Sequence, residues 1–224
     1  PAKVDIKVGA AVSAQLEIRD DATLENEMRI QEGALPSAFA PALPVMFMPN
    51  GRLLGALQSL VSGVYNGPFA SLQTFFAVSH DNAGGLLRLD GDRLVLSWPS
   101  AREQPVYARL DAALGALTAK IGGDYVRNPL AGTMMGHQPA TAHPLGGCGM
   151  GHDRGNGVVD HMGRLFDTTS VAENGVYDGI YVMDGSVMPR SLGVNPLLTI
   201  TALAERAMLL LAGERNLPCD DSAV

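Results

Sequence analysis

Residues 141–153 read TAHPLGGCGMGHD, setting two histidines, one of the chain's two cysteines, a proline and four glycines in thirteen positions. Three chemistries use such residues: metal ligation by His and Cys, anion binding by a glycine-rich backbone, and proton transfer by a positioned histidine. Metal ligation would draw on His137, His143, Cys148, His152 and His161, which run as H-x5-H-x4-C-x3-H-x8-H. That spacing has neither the C-x2-C pair of a structural zinc site nor the H-E-x-x-H of a catalytic one, so no metal is assigned. Gly146, Gly147, Gly149 and Gly151 do not form G-x-G-x-x-G, and HDRGNG follows them instead of an apolar helix. They read as turns, of the kind that let a ligand approach the backbone closely.

A second candidate lies downstream, in YVMDGSVMPRSLGVNPLLTITALAERAMLLL (181–211). Asn195 suits an N-cap and Pro196 a first helical position, so a helix is expected from about Pro196 to Ala212. Its apolar residues lie nearly all round, which predicts burial. Its N-terminus would then aim a positive dipole end and free N–H groups at the interior, although an ordinary capped core helix has the same pattern.

These segments need a frame. Residues 12–33 alternate apolar and polar on either side of DDATLEN, as two strands joined by a turn. Residues 34–50 are proline-rich loop. Leu53, Leu54, Leu57, Leu60, Val61 and Val64 recur at helical spacing, and SLQTFFAVSH reads as a strand. GGLLRLDGDRLVLSW reads as a hairpin turning at Asp90-Gly91. Val106, Leu110, Ala113, Leu114, Leu117 and Ile121 mark an amphipathic helix between Pro105 and the stop at Gly122-Gly123. Residues 1–125 are therefore expected to be α+β, a mixed sheet with packed helices. Residues 126–215 follow as glycine-rich loop with short strands in GVVD and IYVMDGS and the final helix, and 216–224 as a tail.

Composition narrows the partners. Hydrophobic residues make up 46% and charged residues 17%, as in a globular protein with a sizeable core. The balance of 16 basic against 23 acidic residues gives −7, and there is no Lys/Arg run, which argues against a nucleic-acid or anionic-membrane surface. The longest apolar run, AMLLLA, is too short to span a bilayer, and nothing resembles a signal peptide. Cys148 and Cys219 imply no disulfide framework and leave the compartment open.

Together, HPLGGC-x-MG (143–151), GVVD-x-x-GRLF (157–166) and YVMDGSVMPRSLGVNPLLTITALAER (181–206) resemble the C-terminal signature of the glucose–methanol–choline (GMC) flavin oxidoreductases, and the cholesterol oxidase branch in particular. The resemblance implies FAD-dependent oxidation of the CH–OH group of a sterol-like or other bulky alcohol. It makes residues 1–125 a substrate-binding region and 126–215 the closing portion of an FAD-binding domain. It sets His143 beside the substrate hydroxyl and the flavin, with Asn195 as the second active-site residue. Asp184 and Gly185 match positions approaching the FAD ribityl and phosphates. The backbone of Pro196 and Leu197 matches the segment facing the pyrimidine edge, and Gly146 and Gly147 would let the chain pass close to the ring. RIQEGALP (29–36) aligns with the family segment carrying an acidic residue over the substrate. Glu32 would be that carboxylate, which in cholesterol oxidases assists isomerisation of the steroid double bond; an exposed strand-end Glu is the alternative. The apolar residues of 41–76 would wall a substrate cavity, or serve as ordinary core.

The chemistry is consistent with these roles. Hydride leaves an alcohol carbon only if the hydroxyl proton is removed or its oxygen held, a task suited to histidine. A helix N-terminus stabilises the negative charge that reduction places at the flavin's N1/O2 edge. The family's opening strand and G-x-G-x-x-G turn have no counterpart here, so the chain is expected to be the C-terminal part of a longer protein. Its partner would be the N-terminal FAD-binding part, and alone it would bind FAD weakly or not at all. The alternative is a non-catalytic domain of the same fold that binds apolar ligands, a role that needs neither His143 nor Asn195.

Overall fold

The computed structural model describes residues 14–33, 53–63, 72–127 and 141–219. It divides the chain into two compact units, one of residues 1–80 and 102–140, the other of residues 81–101 and 141–224.

The first unit is built on a three-stranded antiparallel sheet, β1 (Gln15–Ile18), β2 (Met28–Gly33) and β3 (Thr74–Ser79), with β2 in the centre. Alternation in β2 turns Met28 and Ile30 into the core, where both are buried. Register is held by cross-strand pairs: Glu17 opposite Arg29 forms an ion pair at 2.6 Å, and Gln31 donates to Gln15, directly opposite, at 2.8 Å. Helix α1 (Leu53–Ser62) matches the helical spacing up to Val61, whereas Val64 and residues 34–50 lie outside the described residues. Helix α2 (Pro105–Lys120) starts on Pro105 and stops before Gly122-Gly123, as the sequence asymmetry predicts. Its Asp111 accepts a hydrogen bond from the Tyr125 hydroxyl at 2.6 Å and pairs with Arg127. Burial, and then the neighbouring Asp111, push the Tyr125 hydroxyl pKa well up.

The second unit contains the hairpin β4 (Leu86–Asp90)–β5 (Arg93–Ser97), the pair β6 (Arg164–Phe166)–β7 (Val176–Tyr181), and helix α3 (Leu197–Arg215). Its core is formed by Val159, Met162, Phe166, Val187, Met188 and Ala207, all buried. Four expectations are corrected here. All strand pairs among the described residues are antiparallel, where a mixed sheet was expected. The β4–β5 turn centres on Gly91 and Asp92 between the paired Asp90 and Arg93, one residue further on than expected. GVVD is not a strand: Val159 alone bridges to Met150 and Leu165, because the chain turns at once at Asp160, whose carbonyl accepts the Gly163 N–H at 2.9 Å. Helix α3 is not buried all round. Ile200, Leu203, Ala204 and Ala207, spaced for one helical face, close over Met150, Met162 and Val187, while Leu197 and Leu198 remain 75% and 81% exposed.

Candidate active site

The HPLGGC turn and the DGS turn are joined through their backbones. The N–H groups of Gly146, Cys148 and Met150 donate to the carbonyls of Gly185, Ser186 and Val187 at 3.2, 3.0 and 3.0 Å. Gly185 then sits where three segments meet. A Cβ added there would lie 3.1 Å from Leu145, 3.2 Å from Ile200 of α3 and 3.4 Å from the Pro144 carbonyl. Only a residue without a side chain allows that approach at no cost, which gives the glycine of DGS a physical reason. Ile200 in turn donates its N–H to the Pro196 carbonyl at 2.9 Å, closing the first turn of α3. The sequence thus brings His143-Pro144-Leu145, Gly185 and the Asn195-Pro196 end of α3 into one continuous arrangement, although 42 residues separate His143 from Gly185 in the chain.

Each candidate side chain has a definite setting. His143 is exposed, its own N–H held by the Thr141 hydroxyl at 3.0 Å, so the turn is fixed from its N-terminal side. Asp184 accepts from the Ser186 N–H at 2.9 Å and from the Ser186 hydroxyl. These two bonds, the side-chain one first, hold its carboxyl below the usual carboxylate range. The carboxylate therefore shapes its own turn and stays ionised. Gly146 and Gly147 both adopt positive φ, at +83° and +104°. Asn195 is exposed, Pro196 is buried and Leu197 is exposed. The cap position of α3 is Pro196, in right-handed helical conformation, one residue beyond the Asn195 expected as N-cap. Glu32 lies in the other unit, on β2 opposite Phe75, and accepts from Gln73 Nε2 at 3.4 Å. His137 falls outside the described residues, and among those described no cluster of His, Cys, Asp and Glu is suited to a metal ion.

One structural support of this region was not singled out from the sequence. Asp160 Oδ1 accepts the N–H groups of Met162 and Arg164 at 2.8 and 3.0 Å, and Oδ2 accepts from Arg164 Nε at 2.7 Å. Burial pushes the Asp160 carboxyl up, but Arg164 and these backbone donors outweigh it and hold it below the ordinary range. This knot sets the turn before β6, and Gly163 and Val182 continue it with an N–H···O bond of 2.8 Å two residues short of Asp184. The D-x3-R spacing in VVDHMGR was the available signal.

Residues 112–204 match the family model described as GMC oxidoreductase. A cholesterol oxidase of Acinetobacter baumannii is 36% identical over 118 residues, which cover 52% of this chain and 19% of that protein. A cholesterol oxidase of Mycobacterium tuberculosis is 43% identical over 72 residues, 32% of this chain and 11% of the relative. A 6'''-hydroxyparomomycin C oxidase of Streptomyces lividus is 38% identical over 77 residues, 34% of this chain and 12% of the relative. The aligned stretch is thus at most about a fifth of each of these relatives. The first two motifs, all but the last two residues of the third and the first turns of α3 fall inside the matched range, so over residues 112–204 the chain is similar to the GMC oxidoreductases.

Proposed function

We propose that this chain is the C-terminal portion of an FAD-dependent enzyme that oxidises the CH–OH group of an alcohol, a sterol-like one being the first substrate to test. The observation that supports this best is the junction at Gly185, where the His143 turn, the DGS turn and the start of α3 meet. The glycines let the two turns and α3 pack closely together, and the N-terminus of a 19-residue helix lies beside them, a positive end suited to the negative edge of a reduced flavin. The residues present fit the group.

When bound, the flavin supplies the two-electron acceptor for hydride. In this reading His143 holds the substrate hydroxyl and takes its proton, and Asn195 hydrogen-bonds the same oxygen as it becomes a carbonyl. The backbone ahead of α3, at Pro196 and Leu197, contributes the positive end of the helix dipole to the pyrimidine edge. Asp184 rigidifies the turn that presents Gly185. The remainder of the flavoprotein, its N-terminal FAD-binding part, covers the exposed apolar side of α3, where Leu197 and Leu198 stand. Glu32 is proposed as the carboxylate over the substrate.

The test is rapid-mixing reduction of the whole flavoprotein by primary, secondary and sterol alcohols. His143→Ala should slow reduction by about 10²-fold or more, the usual scale for a positioned acid–base group. Reduction at an unchanged rate would remove His143 from the chemistry.

A further inference from the structure

Residues 81–101 belong to the same compact unit as the three motifs, and they touch two of them. Leu87 of β4 lies over Gly147. Its Cδ1 is 2.7 Å from where a Cβ on Gly147 would stand, so the methyl fills the space that the glycine leaves open. At the other end of the hairpin, the Asp81 N–H donates to the Ser191 hydroxyl at 3.3 Å, in the SLGVNP loop that leads to Asn195.

The base between these tethers is stiff. Asp81 Oδ1 accepts the Ala83 N–H at 2.9 Å. Asn82 Oδ1 accepts both the Gly84 N–H at 3.0 Å and the Trp98 indole N–H at 3.1 Å, which links the two arms of the hairpin. On β4–β5, Leu87 and Leu96 are directly opposite, as are Leu89 and Leu94, so one face of the ribbon carries four leucines. Leu87 is the least exposed strand leucine of that face, at 47% against 60–74% for the others. A leucine is costly to leave in water, and its partner here is a backbone that no side chain shields.

We propose that the β4–β5 hairpin is a positioning clamp for the active site, with Leu87 and Ser191 as its two contacts. It fixes the HPLGGC turn against the SLGVNP loop, and thereby His143 relative to Asn195. The proposal rests on the reading of His143 and Asn195 given above. Gly147, at φ +104°, holds a conformation that glycine adopts readily, and Leu87 bears directly on it. The amides on either side, Gly146 and Cys148, hold the turn to Gly185 and Ser186, so a loosened Gly147 frees both.

The experiment uses the whole flavoprotein and the variants Leu87→Ala and Leu87→Met. Leu87→Ala should speed amide exchange at Gly146 and Cys148 by about 10-fold or more, while the Val182 amide keeps its rate. The limiting rate of flavin reduction should fall by about 10-fold with KM little changed, since small misplacements of reacting groups carry costs of that order. Leu87→Met should restore both. Unchanged exchange at Gly146 and Cys148 overturns the proposal, as does an equal acceleration at Val182, which would mean general loosening. Faster exchange with undiminished reduction also overturns it. If His143→Ala is then equally silent, the failure lies in the reading of His143 and not in the contact. Should Leu87→Ala not fold, Ser191→Ala, which removes the other tether, is judged by the same measurements.

Discussion

Replacing Asp160 by Asn removes a charge while keeping the shape of the turn that precedes β6. The retained amide oxygen still accepts from the N–H groups of Met162 and Arg164, at 2.8 and 3.0 Å in the native turn. What is lost is the pairing of Oδ2 with Arg164, through Nε and a second guanidinium nitrogen, both at 2.7 Å. Hydrogen bonds between charged partners contribute about 1.5–3 kcal/mol each, and here they act as one bidentate unit. The Arg164 side chain is 26% exposed and can turn to Glu214, already 3.3 Å away, so water and that carboxylate recover part of the loss. The expected cost is about 2 kcal/mol. Asp160→Ala also strips the two backbone donors of their acceptor, raising the expected cost to about 4 kcal/mol.

The assay is native-state exchange of the Gly163 and Val182 amides, both bonded within this turn region. At pH 7 their protection should fall about 30-fold in Asp160→Asn, the equivalent of 2 kcal/mol. The carboxyl's pKa is lowered in the folded state, so its contribution is fully present above the ordinary carboxylate value. It fades as pH falls through the folded value beneath it. The difference between the native protein and the Asn variant should therefore close below about pH 4. A change under about 2-fold at pH 7, or a difference that persists undiminished in acid, would refute the electrostatic account.

Gly185→Val should wedge Leu145 from Ile200, which the absent side chain now allows to within 3.1 and 3.2 Å of its Cβ position. The expected cost is about 1–3 kcal/mol, read as lowered flavin occupancy in the purified whole protein; full occupancy would show the junction to be pliable. Asn195→Leu should leave the protein folded while slowing flavin reduction at least about 10-fold. A large stability loss with normal reduction would return Asn195 to a purely structural role. Glu32→Gln should slow double-bond migration in an unsaturated steroid product by about 10²-fold and spare the oxidation step. Equal isomerisation would make Glu32 an ordinary strand residue.

The motifs that carry the proposed site residues were legible because they are local in sequence. HPLGGC, DGS and GVNP each specify a short backbone path, and so do the Pro105 start and Gly122 stop of α2. Hydrophobic period marked β1, β2, β3, the hairpin and α3, since side-chain direction follows from backbone geometry alone. The misjudged features have separate causes. GVVD was apolar enough for a strand, yet Asp160 gathers two N–H groups to itself and ends it. The all-round apolarity of α3 records which residues avoid water, whereas burial depends on which layer lies against each face; here one stripe is covered.

What tertiary structure alone decided is the meeting of segments far apart in the chain. Gly185 received Pro144, Leu145 and Ile200 as neighbours, and Gly147 received Leu87 from a hairpin some sixty residues earlier. No periodicity encodes those contacts, because each depends on van der Waals fit between surfaces that exist only after folding. The sequence alone determined which residues could do the chemistry, through types and spacing that local stereochemistry dictates. Where those residues stand relative to one another is a property of the packed chain.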